Sequence, residues 1–144
     1  MTTSGFVENI LDEYDRAKGH GRNTLEREAS RDFIVSDISK TDIKGPLTRK
    51  LAALILHRSL QRLTNEPDSD WGFARNFKDI YDCRVCANAV AQVAVKGIVE
   101  PVSGDVFGMT GNLSEKEAEN AVLRLFDASK RVTNLLGFQI NGNR

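Results

Sequence analysis

The feature that most constrains the fold is an internal repeat. Residues 45–52 (Gly-Pro-Leu-Thr-Arg-Lys-Leu-Ala) align with residues 111–118 (Gly-Asn-Leu-Ser-Glu-Lys-Glu-Ala), an offset of 66 positions. In both copies a turn precedes a hydroxyl side chain, Thr48 or Ser114, that can cap a helix. The same register places Arg58 over Arg124. Because one copy cannot bury the apolar face of its helix alone, the repeat predicts two related halves packed in one core.

Apolar residues recur at helical spacing in five segments, near residues 4–18, 24–38, 48–65, 82–97 and 114–132. Residues 40–46, 66–76 and 98–112 are rich in polar, Gly and Pro residues and are predicted to be loops. We therefore expect an all-α fold of about five helices with long structured loops. A length of 144 residues favours a single domain over 1–144, with an N-terminal helical segment over 1–39, a partial repeat over 40–65 and a fuller repeat over 76–131.

The charge balance excludes some function classes. Lys and Arg together number 20, as do Asp and Glu, so the formal net charge is zero, which disfavours nucleic-acid binding. The longest apolar run, residues 51–56, is far too short to span a membrane, and the first residues lack the basic and apolar parts of a signal peptide. The sequence as written is expected to be cytoplasmic, or at the cell surface if a leader is missing.

Several motifs together resemble an S-layer homology repeat. They are Asn-Phe-Lys-Asp-Ile at 76–80, a helix of small apolar residues that ends in Gly-Ile at 97–98, Gly-Asp-Val-Phe-Gly at 104–108, and the capped helix that starts near 114. The Leu-Thr-Arg segment at 47–49 resembles the second half of another copy, so about one and a half repeats cover residues 40–130.

The resemblance implies a bacterial, non-enzymatic module that attaches to an anionic secondary polymer of the cell wall or a related glycan. It implies that Arg49 contacts the anion and that Asp79 and Gly97 shape the groove. The second repeat carries Glu115 where the family has its polymer-binding arginine. The alternative function is an intracellular helical domain for protein–protein interaction or homo-oligomerisation that has lost polymer binding.

Each candidate residue also has a purely structural interpretation. Arg49 can pair with Asp42 at the surface, Asp79 can cap a turn, and Gly97 can end a helix. Trp71 can stack on a sugar ring, or it can fold back over the core with neighbouring phenylalanines. These alternatives stay open at the level of the sequence.

No catalytic, metal or cofactor motif accompanies these residues. Cys83 and Cys86 have no second Cys or His pair to complete a metal site, and they are predicted to be small buried residues of the fourth helix rather than a redox pair. His57 has no nucleophile motif beside it. The charged residues around 26–31 are predicted to form solvated helix faces. We therefore expect no enzyme activity, no cofactor and no metal.

Overall fold

The computed structural model describes residues 1–19, 21 and 24–132. Over these residues the fold is all-α, as predicted, with isolated β-bridges but no strand. The described residues form six α-helices: α1 (Thr3–Lys18), α2 (Leu25–Val35), α3 (Lys40–Lys44), α4 (Arg49–Ser59), α5 (Ala87–Val95) and α6 (Glu115–Phe126). A π-helical turn (Leu60–Thr64) extends α4, and 3₁₀ turns lie at Gly72–Asn76, Arg84–Cys86 and Ala128–Lys130.

Side-chain caps set the starts of most helices. Thr24, Thr48 and Ser114 accept hydrogen bonds from the first turns of α2, α4 and α6, as their positions in the sequence indicate. Ser114 and Glu117 form a complete capping box. Helix α1 begins before Ser4, where the sequence predicts it to start, and its cap is Thr2.

Three element boundaries differ from expectation. Residues 40–44 form the short helix α3, capped by Ser39, within a predicted loop. The helix predicted from Asp82 begins only at Ala87, because residues 84–86 form a 3₁₀ turn first. Helix α6 ends at Phe126 instead of continuing to Val132.

The two copies of the repeat meet at the starts of α4 and α6. The amide of Arg49 donates to the carbonyl of Gly111 (2.8 Å), and the amide of Leu113 donates to the carbonyl of Leu47 (2.9 Å). The segments thus run antiparallel, with a bridge between Thr48 and Asn112. Each repeated turn therefore supplies backbone partners to the other.

The core lies between these two halves and α1. Helix α1 contacts α2, α3, α4 and α6, while α5 packs on α4. The small side chains of α5, among them Ala91 and Ala94, are fully buried and allow close approach of neighbouring helices. No helix in the described ranges is long and apolar enough to cross a membrane.

Candidate functional site

Arg49, the predicted anion contact, lies inside the protein with 3% of its surface exposed. Its guanidinium donates through Nε to the carbonyl of Phe107 (3.1 Å), through Nη1 to Oε2 of Glu117 (3.1 Å) and through Nη2 to the carbonyl of Glu100. It also stacks over the Phe107 ring, 4.9 Å from the centroid. Burial opposes ionisation of Glu117, but the hydrogen bonds from Ser114 and the charge of Arg49 outweigh it and lower the pKa of that carboxyl. Arg49 therefore acts as an internal clamp between the first turn of α4 and the 100–117 segment.

Asp79 holds the loop that Arg49 clamps. Its carboxylate accepts backbone N–H groups from Phe107 (2.9 Å), Gly108 (2.8 Å) and Met109 (3.2 Å). Burial raises the pKa of Asp79, yet these three hydrogen bonds outweigh it, and the net shift is downward. Residues 107–109 thus bind an anion, and that anion is a side chain of this chain.

Gly97 and Trp71 are also part of the structural framework. Gly97 ends the α5 turn with φ of 71°, and a Cβ there would lie 1.9 Å from the carbonyl oxygen of Val132. Trp71 is half-buried against the core, and its Nε1 donates to Oδ1 of Asn88 (2.8 Å). The indole therefore packs over the core with its polar atom satisfied, as the structural alternative predicted.

Two more predictions need correction. Arg27 is not on a solvated face: it is 3% exposed and donates to Asp15 (2.5 Å), Glu8 (2.8 Å) and Asp12 (2.9 Å). Arg31 also binds Glu8 (2.7 Å), and its hydrogen bond is the main reason why the pKa of Glu8 falls to about 2. Arg27 and Arg31 therefore join α2 to α1, whereas Glu26 and Glu28 are exposed as predicted.

The second correction concerns Cys83 and Cys86, which form a disulfide before α5 instead of two free thiols within it. Their Cα atoms lie 5.2 Å apart across the 3₁₀ turn. Cys83 is half-buried and Cys86 is buried. The same Cys-x-x-Cys spacing fits a helix turn and a disulfide loop equally well, so the sequence alone did not decide between them.

A cleft of about 180 Å³ opens beside this disulfide. Its lining combines apolar side chains, the disulfide and three charged residues: Asp37, Ile38, Asp42, Lys50, Leu51, Leu54, Cys83, Val85 and Cys86. Val85, between the two cysteines, is 87% exposed. Asp37, Asp42 and Lys50 form no ion pair with any residue in the described ranges. We call these nine residues the disulfide cleft.

A larger cleft of about 320 Å³ lies between α1 and α6. Its lining is mostly the polar and charged outer faces of the two helices, including Glu13, Arg16 and Glu119. Val122 and Leu123 supply its apolar lining, and the residues that line it include no cysteine. The disulfide cleft is therefore the stronger candidate site, although it is smaller.

Other groups do not add a second site. His57 shares a hydrogen bond with Asp68 (Nε2 to Oδ1, 2.8 Å). No cluster of His, Cys, Asp or Glu that fits a metal ion exists among the residues the structure describes. The predicted absence of a cofactor and of enzyme activity stays a prediction.

No protein-family model and no curated protein matches the sequence. Among solved structures, the fold is similar to part of the undecaheme cytochrome from the S-layer of Carboxydothermus ferrireducens, with a TM-score of 0.51 and 15% sequence identity. The match covers 81% of this chain and 16% of the cytochrome chain. At this identity the likeness concerns the fold alone, and the resemblance to S-layer homology repeats stays a prediction.

The predicted attachment to an anionic cell-wall polymer or glycan is wrong. The solved structure that shares the fold is described as a cytochrome and not as a wall-binding module. In addition, each of the three guanidinium nitrogens of Arg49 donates a hydrogen bond inside the protein.

Covalent haem does not fit this chain at its cysteine pair. Attachment of c-type haem needs two thiols followed directly by a histidine. Here both sulfurs are joined to each other, and the next residue is Ala87.

Proposed function

We propose that this chain is a non-enzymatic helical module that binds a segment of a partner polypeptide in the disulfide cleft. The observation that carries the proposal is the position of Val85, 87% exposed at the edge of a cleft with an apolar floor. A cleft of about 180 Å³ is smaller than the roughly 300 Å³ at which small-molecule sites begin. It suits one or two side chains of a peptide better than a complete small ligand.

The charged rim indicates the chemistry of the partner. Asp37 lies between α2 and α3, Asp42 lies in α3, and Lys50 lies in the first turn of α4. None of the three charged groups has an ion-pair partner in the described part of the chain. Because the two carboxylates outnumber the ammonium of Lys50, the rim favours a peptide with a basic residue next to its apolar one. A partner segment with an apolar anchor and a flanking lysine or arginine meets both requirements.

Fluorescence anisotropy tests this proposal with two short labelled peptides of equal apolar content. The leucine–lysine peptide has a lysine next to its leucine, and the leucine–glutamate peptide has a glutamate at the same position. We expect the leucine–lysine peptide to bind and the leucine–glutamate peptide to bind about tenfold more weakly, a difference of about 1.4 kcal/mol. Val85→Ser should weaken binding of the first peptide about tenfold, because it removes one buried apolar contact.

The matched control is Val102→Ser, since Val102 is also an exposed valine (60%) but lies outside the cleft. It should leave the affinity unchanged. Equal effects of the two serine variants, or equal binding of the two peptides, would contradict the proposal. Sedimentation of the unliganded protein should accompany the titration, because a second copy of the chain that fills the cleft would shift the oligomeric state and compete with the peptide.

A further inference from the structure

The cleft contains one group that can form a covalent bond, the Cys83–Cys86 disulfide. Both cysteines line it, and they differ in accessibility: Cys83 is half-buried, while Cys86 is 2% exposed. An attacking thiolate must approach along the axis of the sulfur–sulfur bond, so the accessible sulfur is the one that is attacked. Here that sulfur belongs to Cys83.

The purely structural role of this disulfide is small. A cross-link restricts the unfolded chain more strongly as the loop that it closes becomes longer. This loop spans only three residue steps, and the core next to it is already held by the buried residues Ile80, Ala87 and Val90. Its position in the lining of a cleft is therefore better explained by reactivity than by stabilisation.

We propose that the disulfide captures a cysteine-bearing partner polypeptide by thiol–disulfide exchange, which leaves the partner bound to Cys83. The inference rests on the proposed function, because the cleft supplies the non-covalent contact that places the partner thiol. Its substrate class is a polypeptide with a free cysteine near an apolar and a basic residue.

The thiol–disulfide exchange needs no external oxidant. The partner thiol loses its proton to solvent, and its thiolate attacks Sγ of Cys83. A bond forms between those two sulfurs while the Cys83–Cys86 bond breaks, and its electron pair leaves on Sγ of Cys86, which then takes up a proton. The partner sulfur is oxidised to the disulfide level, and the Cys86 sulfur is reduced to a thiol.

The surroundings of Cys86 favour it as the leaving group. Cys86 is the N-cap residue of α5, and its side chain makes no capping hydrogen bond. The positive end of a helix stabilises a thiolate. A more stable thiolate leaves faster in exchange.

The first experiment treats the oxidised native protein with excess reduced glutathione, stops the reaction with acid and follows the mixed disulfide by mass spectrometry. We expect the disulfide to open at least tenfold faster than the protein unfolds, with the unfolding rate measured by circular dichroism in urea and extrapolated to water. Opening only at the rate of global unfolding would overturn the inference, because it would show that the sulfurs are closed to thiols in the folded state.

The second experiment uses single-cysteine variants and oxidised glutathione. The Cys86→Ser variant keeps only Cys83, and the Cys83→Ser variant keeps only Cys86. We expect Cys83 to form a mixed disulfide with glutathione at least tenfold faster than Cys86. Circular dichroism checks that each variant is folded. If either variant is unfolded, the wild-type mixed disulfide can be used instead: its remaining free thiol is alkylated, and peptide mapping shows which cysteine carries glutathione. Glutathione on Cys86 would contradict the assignment of Cys83 as the attacked cysteine.

The third experiment separates this inference from the proposed function. A cysteine added to the leucine–lysine peptide should exchange at least tenfold faster than one in the leucine–glutamate peptide, and Val85→Ser should remove the advantage without changing the rate with glutathione. Peptide binding without exchange would overturn only the inference. Exchange at equal rates with all thiols would refute the proposed function and, with it, the assigned partner class.

Discussion

Arg49 shows how a residue that looks like a ligand contact serves the fold. Every polar group that it touches lies in residues 100–117, more than 50 positions away in sequence. Such partners are invisible in a local pattern, whereas the Thr-Arg dipeptide at a helix start is visible and suggests an anion contact. The anion is present, but it is Glu117 of the same chain.

Replacing Arg49 by methionine should lower the free energy of unfolding by about 3 kcal/mol, because it leaves the buried carbonyl of Phe107 and the carbonyl of Glu100 without their donor and Glu117 without its cation. Urea denaturation measures the change. Arg16→Met is the control, since Arg16 is an exposed arginine of α1 and should change stability by less than about 0.5 kcal/mol. A loss for Arg49→Met as small as that of the control would contradict the internal clamp.

At the scale of elements, the two halves are more alike than the sequence repeat alone suggests. Arg58 on α4 donates to the carbonyl of Ile34 near the end of α2 (3.0 Å). Arg124, its equivalent on α6, donates to the carbonyl of Ile98 just beyond α5 (3.3 Å). Each of the two arginines thus binds a carbonyl at or just beyond the end of another helix, α2 for Arg58 and α5 for Arg124. This added likeness is limited to the arginine contact, because α5 packs on α4 rather than on α6.

The hydroxyl caps of α4 and α6 should be similar in strength. Thr48→Ala and Ser114→Ala should each cost about 1 kcal/mol, because each leaves an amide in the first helical turn without its acceptor. Thermal unfolding followed by circular dichroism measures both. Ser4→Ala is the control, since Ser4 lies inside α1 and is not its cap. A cost at Ser4 equal to that at Ser114 would contradict the cap assignment.

Elements that depend on local chemistry were predictable from the sequence. The caps at Thr24, Thr48 and Ser114 and the all-α class follow from residue type and period. Helix α3 was missed because five residues are too few to show a period. The disulfide and the cleft were missed because they depend on which segments meet in space, which no spacing in one sequence records.

At the scale of the whole molecule, buried ionic groups tie distant segments together. Glu66, just after the π-helical turn, accepts two hydrogen bonds from Arg131 (both 2.9 Å) and one from Lys96 (2.9 Å). The hydrogen bond from Arg131 outweighs burial and, with Lys96, lowers the pKa of Glu66 to about 2. Glu8 of α1 joins α2 in the same way, since it accepts hydrogen bonds from Arg27 and Arg31.

These shifts predict acid sensitivity. Because the pKa of Glu66 is lower in the folded state than the usual 4.5, its stabilisation is complete above about pH 5 and is lost as the pH falls towards 2. We expect the free energy of unfolding to fall over this window, with Glu66 contributing about 2 kcal/mol. Urea denaturation at a series of pH values measures it.

Glu66→Gln should reduce stability at neutral pH and flatten the dependence between pH 5 and 2. Glu119→Gln is the matched control, since Glu119 is an exposed glutamate of α6 outside this network. It should leave the slope unchanged. An identical slope in wild type and Glu66→Gln would show that the ionic network does not determine the acid response.

The junction between the two repeated turns also determines how this chain has to fold. The amide of Leu113 binds the carbonyl of Leu47, and the carbonyl of Gly111 accepts the amide of Arg49 in the first turn of α4, so the paired residues lie 66 and 62 positions apart in sequence. A helical protein built only from local contacts folds fast, but this contact requires closure of a long loop before it contributes stability. The rate of folding is therefore set by the encounter of the two turns rather than by the growth of any helix.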